Sequence, residues 1–152
     1  MKQIAATWFE AKIRYHKTTE DGTTKKITET FVFDALSFTE AEAKVVEEMS
    51  AYVSEEIEIK ALTPASYSEV FFTDNNEGKW YKTKVAFVTI DEKSGKEKSQ
   101  NILYLVQGDN ATEACRNIAT ALSSVYDWRI KAISETTIND VIPHANGSRE
   151  KE

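Results

Sequence analysis

Residues 8–72 and 80–142 spell one unit twice, and this internal repeat constrains the fold more than any other feature of the chain. The run Trp8-Phe9-Glu10-Ala11-Lys12-Ile13-Arg14-Tyr15 lies over Trp80-Tyr81-Lys82-Thr83-Lys84-Val85-Ala86-Phe87, with tryptophans, lysines and closing aromatics in register. Asp21-Gly22 then meets Ser94-Gly95, and Thr39-Glu40-Ala41 meets Thr112-Glu113-Ala114. Ile59-Lys60-Ala61-Leu62 meets Ile130-Lys131-Ala132-Ile133, and Ser68-Glu69-Val70 meets Asn139-Asp140-Val141. The offset stays near about 72 residues from end to end, which is the signature of a duplicated unit.

Each copy predicts strand, strand, helix, strand. In the first strand Phe9, Ala11, Ile13 and Tyr15 alternate with Trp8, Glu10, Lys12 and Arg14, so one face is apolar and the other polar. The second strand spans about Lys26 to Ala35 and carries Ile27, Phe31 and Phe33; its counterpart carries Ile102, Tyr104 and Val106. Asp21-Gly22 and Ser94-Gly95 read as hairpin turns. A capping box opens each helix, Ser37 with Glu40 and Asn110 with Glu113. The inward stripes are Ala41, Val45, Met49 and Tyr52, and Ala114, Ile118, Leu122 and Val125. Third strands follow from Glu56 to Leu62 and from Asp127 to Ile133. The short runs after them, Tyr67–Phe72 and Thr137–Ile142, fit either an edge strand or a helical turn.

The expected fold is therefore α+β: a tandem ββαβ duplication forming an antiparallel sheet with two helices packed on one face. It is a single domain over 1–143, followed by a flexible polar tail over 144–152. A chain of 152 residues, 41% hydrophobic and 29% charged, is large enough to build its core without staples. One cysteine, Cys115, leaves no intrachain disulfide framework and suits the cytoplasm. The start of the chain has no long apolar h-region, so no signal peptide is expected. No apolar run approaches the roughly 20 residues needed to cross a bilayer, and no membrane partner is expected.

Little in the sequence dictates a chemistry. His16 and His144 are the only histidines, and neither lies near Cys115, so no metal site is expected. Cys115 reads as a small apolar residue beside Ala114 and Ile118. Five scattered glycines make no phosphate loop, and Glu47 and Glu48 read as a solvated helix face. No cofactor and no catalytic residue is expected.

One constellation points to binding. Trp8, Lys12 and Arg14, and again Trp80, Lys82 and Lys84, fall on the strand face away from the helices. Lys17, Lys25, Lys26, Lys96 and Lys98 stand on the neighbouring hairpin arms. Aromatic rings flanked by cations on an open sheet hold single-stranded nucleic acid by base stacking and phosphate contacts. The net charge of −6 argues against whole-surface capture of duplex DNA but leaves room for a local basic stripe. The same face would also serve protein–protein association or a homo-oligomer, and a pocket between the repeats would suit a small molecule or an enzyme.

The Trp8–Tyr15 and Trp80–Phe87 runs, the run Asp34-Ala35-Leu36-Ser37-Phe38-Thr39-Glu40-Ala41-Glu42-Ala43 and Tyr67-Ser68-Glu69-Val70-Phe71-Phe72 resemble an uncharacterised family. It is the domain of unknown function numbered 4494, found in Bacteroidetes bacteria and their phages, and the resemblance extends to about Pro143. It implies no catalytic or binding residues. A phage setting would favour a role around DNA or the virion over metabolism.

Overall fold

The computed structural model describes residues 2–4, 7–51, 53, 56–143 and 150–151. Along the chain these form β1 (Lys2–Ile4), β2 (Trp8–Thr18), β3 (Thr24–Asp34), α1 (Phe38–Met49), β4 (Glu58–Ala65) and β5 (Glu69–Phe72). The second half continues with β6 (Lys79–Ile90), β7 (Glu97–Gly108), α2 (Ala111–Ala121), β8 (Trp128–Glu135), β9 (Ile138–Ile142) and β10 (Glu150–Lys151). The class is α+β and the two copies of the ββαβ unit match element for element. Of the polar tail, only β10 lies within the described residues; His144 and Tyr52 lie outside them.

The strands divide between two sheets, each with its own helix, instead of sharing one. The chain forms two compact units: a first of Ala6–Ser66 and Thr137–Ser148, and a second of Met1–Ala5, Tyr67–Thr136 and Arg149–Glu152. The first holds a four-stranded sheet in the order β4-β2-β3-β9, and the second a six-stranded sheet in the order β10-β1-β5-β7-β6-β8. Within each copy the hairpin is antiparallel, Trp8 opposite Asp34 and Trp80 opposite Gln107, and the third strand adds to the outer side of the first.

That arrangement leaves the second strand of each hairpin with an open edge, a liability in any sheet. The short segments after each copy cover it by changing units. The chain of the first repeat continues into β5, which pairs in parallel with β7, and that of the second continues into β9, which pairs in parallel with β3. Both ambiguous segments are thus strands, and each completes the sheet of the other repeat.

Alternation decides which side meets the helix. In the first unit Ala11, Ile13, Phe31 and Phe33 pack with Val45, Met49 and Val53. In the second, Tyr81, Val85, Tyr104 and Val106 pack with Ala114, Ile118 and Leu122. Each fully buried aliphatic or aromatic side chain contributes about 1.5–3 kcal/mol. Val125 departs from the expected stripe: α2 ends at Ala121, and Val125 is 40% exposed. The helix starts follow the sequence, since Ser37 Oγ accepts from the Glu40 N–H at 3.1 Å and Asn110 Oδ1 from the Glu113 N–H at 2.8 Å. Those bonds satisfy donors that a helix N-terminus otherwise leaves open.

Candidate nucleic-acid interface

Trp8, Lys12 and Arg14 on β2, and Trp80, Lys82 and Lys84 on β6, fall on the helix-free face of their sheets, because Ala11, Ile13 and Val85 between them pack toward the helices. Depth separates them. Lys12 and Lys84 are exposed, and Arg14 and Lys82 are half-buried. Trp8 and Trp80 are not exposed: their relative exposures are 0% and 2%. The Trp80 ring meets Phe72 edge-on at 5.1 Å between centroids. Neither indole presents a face on which a base can stack, so the expected pair of stacking rings is corrected to a pair of core residues. A large apolar ring at the end of a sheet is held by burial, which alternation alone does not report.

A second feature surrounds the exposed lysines. Between Lys12 and Ile13 the pairing of β2 with β4 slips by one residue, so Lys12 faces Ala61, Ile13 faces Ile59, and Lys60 is the extra residue of a β-bulge. The same slip occurs between Lys84 and Val85, where Lys131 is the extra residue of β8. Both bulges therefore carry a lysine beside a lysine. β4 and β8 are edge strands, and a bulge with a charged residue also guards an edge against unwanted pairing.

Charge separates the two faces. Around the first bulge stand Lys12, Arg14 and Lys60, but also Glu10 and Glu58, and Lys60 Nζ lies 3.4 Å from Glu58 Oε1. In the second unit Lys82 replaces Glu10, and Arg129, opposite Ala86, replaces Glu58. Lys82, Lys84, Arg129 and Lys131 thus form a cationic patch, with Lys82 Nζ 5.8 Å from the centre of the Tyr67 ring. Pairwise comparison of the repeats in sequence would reveal Lys60 and Lys131; the role of Arg129 depends on register across the bulge.

At the hairpin end of each unit the same strands border a groove. In the first unit it measures 410 Å³, with Arg14, His16, Lys26, Glu56, Ile57 and Glu58 along it. Tyr15 also lines it, and its hydroxyl donates to Glu29; burial, then that carboxylate, push its pKa up to about 12. In the second unit the groove measures 630 Å³ and is lined by Val88, Ile90 and Trp128 as well as Glu97, Asp127 and Arg129. Among the described residues no group of three His, Cys, Asp or Glu side chains is placed to hold a metal ion. Cys115 is half-buried on α2. No described helix is long and apolar enough to cross a membrane.

A family model described as Domain of unknown function (DUF4494) matches residues 7–144. No curated protein and no solved structure matches the chain.

Proposed function

The chain belongs to the DUF4494 family, a domain of unknown function, and from its geometry we propose a non-catalytic binding protein that contacts single-stranded nucleic acid through the cationic face of the second unit. The observation that carries this reading is the charge change between equivalent positions. Where the first unit carries Glu10, Lys12, Arg14, Glu58 and Lys60, the equivalent positions of the second carry Lys82, Lys84, Ala86, Arg129 and Lys131, so one cation is lost but both acids become cations. On a chain of net charge −6 such a patch is a local exception, and a flexible phosphate strand can follow the exposed Lys84, Arg129 and Lys131 beside the sheet edge better than a rigid duplex can. Trp8 and Trp80 do not enter this contact. The expected cytoplasmic setting, and an origin in Bacteroidetes or their phages as the resemblance implies, are compatible with a nucleic-acid role.

Fluorescence anisotropy with a short labelled oligothymidylate tests the proposal. Binding is expected at low salt, with a log–log salt slope of about −3, because four cations each release roughly 0.7 counterions from a single strand. Lys84→Glu with Lys131→Glu is expected to weaken binding at least about tenfold, and Lys12→Glu with Lys60→Glu far less. Absence of binding at low salt, or equal losses in the two pairs of variants, would refute it.

A further inference from the structure

We infer that the groove at the hairpin end of the second unit seats a nucleobase of the strand whose phosphates lie on the cationic patch; the inference rests on the function proposed above. Arg129 belongs to both features, since it lines the groove and stands beside the Lys84–Lys131 bulge. The groove is also the site of a surface anomaly. Ile90 is 68% exposed, Val125 40% and Tyr126 88%, half of the six large hydrophobic residues left exposed among the described residues. Ile90 lines the groove, while Val125 and Tyr126 immediately precede its Asp127 and Trp128.

The wall is rigid. Trp128 Nε1 donates to the Leu122 carbonyl at 3.1 Å, which fixes the ring against the end of α2. Asp127 holds a left-handed backbone, φ 56°, and its carbonyl accepts from the Val88 N–H at 2.8 Å. Asp127 lies between Tyr126, which is exposed, and Trp128, which lines the groove. The fold does not demand this lining, because the equivalent groove of the first unit has His16 for Val88 and Ile57 for Trp128.

The charges decide what enters. Glu97 and Asp127 would repel a phosphate inside the groove, but carboxylates accept hydrogen bonds from base N–H groups. A base therefore fits the groove, with its phosphates outside on Arg129 and Lys131. At 630 Å³ the space lies in the ordinary range for small-molecule sites.

Tryptophan fluorescence of the full chain separates this inference from its parent. Trp8 and Trp80 are buried, so quenching by a stacked base reports Trp128. A short oligoadenylate is expected to quench and to bind about tenfold more tightly than an abasic strand of equal length. Ile90→Ser with Tyr126→Ala, both at exposed positions, is expected to erase that advantage and leave the abasic affinity unchanged. Equal affinity for the two strands without quenching overturns the base site while leaving the phosphate contact standing. Quenching that survives Lys84→Glu with Lys131→Glu at unchanged affinity supports the base site and removes the cationic patch from the function. Binding of neither strand overturns both, and quenching by an N-acetyl leucyl-phenylalanine amide but not by oligoadenylate assigns the groove to protein instead.

Discussion

The two units differ most instructively where β3 and β7 hand over to their helices. In the first, Asp34 is fully buried, and Lys44 reaches from α1 to place its ammonium 2.5 Å from the carboxylate and 2.9 Å from the backbone carbonyl of the same residue. In the second, Gln107 stands at the place of Asp34 and Asn117 at that of Lys44. Asn117 Nδ2 donates to the Gln107 carbonyl at 2.8 Å. Gln107 Oε1 then accepts from the Thr73 N–H at 3.0 Å. The helix-to-carbonyl bridge is common to both; the charge is not. A polar crosslink is thus a property of the repeat, and ionic character is particular to the first copy.

Breaking the bridges should expose that difference most strongly. Lys44→Ala strips a buried carboxylate of its cation and is expected to cost about 3–5 kcal/mol. Asn117→Ala removes one neutral hydrogen bond and is expected to cost about 1 kcal/mol. Denaturant unfolding of both variants measures the gap, and similar losses would show that the ion pair is no more than a hydrogen bond. Replacing the pair together, Asp34→Gln with Lys44→Asn, should recover most of the loss.

Close packing gives a smaller contrast. A Cβ on Gly108 would lie 2.8 Å from the Ala114 nitrogen and 3.1 Å from its Cα, so α2 sits nearly on the end of β7. The first repeat has Ala35 at this position, buried with Phe9 and Ala41. Gly108→Ala must push the helix away and is expected to cost about 1–3 kcal/mol. The reciprocal Ala35→Gly is expected to cost about 1–2 kcal/mol, from chain entropy and the loss of one buried methyl. Thermal unfolding of the two variants decides whether the approach differs between units; a neutral Gly108→Ala would show that it does not.

The smallest expected effect concerns β9, the strand the second repeat lends to the first unit. Burial raises the Asp140 carboxyl above its ordinary 3.8, against the opposing hydrogen bond from the Val141 N–H. The folded state therefore holds that proton more tightly than the unfolded state does. The resulting stability is present below pH 3.8 and is lost as pH rises through the higher folded value. Asp140→Asn keeps an acceptor for Val141, so it should be the more stable protein at neutral pH and indistinguishable from the parent in acid. A pH series of unfolding midpoints checks this, and a constant difference between the two proteins would contradict it.

Much of this was legible in the residues. The alternation in Trp8–Tyr15 and Trp80–Phe87 located the faces, and Ser37 and Asn110 located the helix starts, because period and capping are local properties. Burial of Trp8 and Trp80 was not legible: alternation assigns a side chain to a face and says nothing of what covers that face. The cationic patch was half legible. Lys82 and Lys84 were named from the strand pattern, but Arg129 and Lys131 join them only through the pairing of β8 with β6 and its bulge.

By itself the sequence determined two copies of one ββαβ unit, their hairpins, their caps and the apolar stripes that make each helix cover a sheet. These follow from residue-to-residue spacing within a few turns or strand lengths. Tertiary structure alone decided that β5 and β9 change units, that the strands form two sheets, and that the bulges fall beside Lys12 and Lys84. Those outcomes depend on which distant edges remain unpaired. A short strand such as Glu69–Phe72 carries too few residues to specify its partner before that partner's open edge exists.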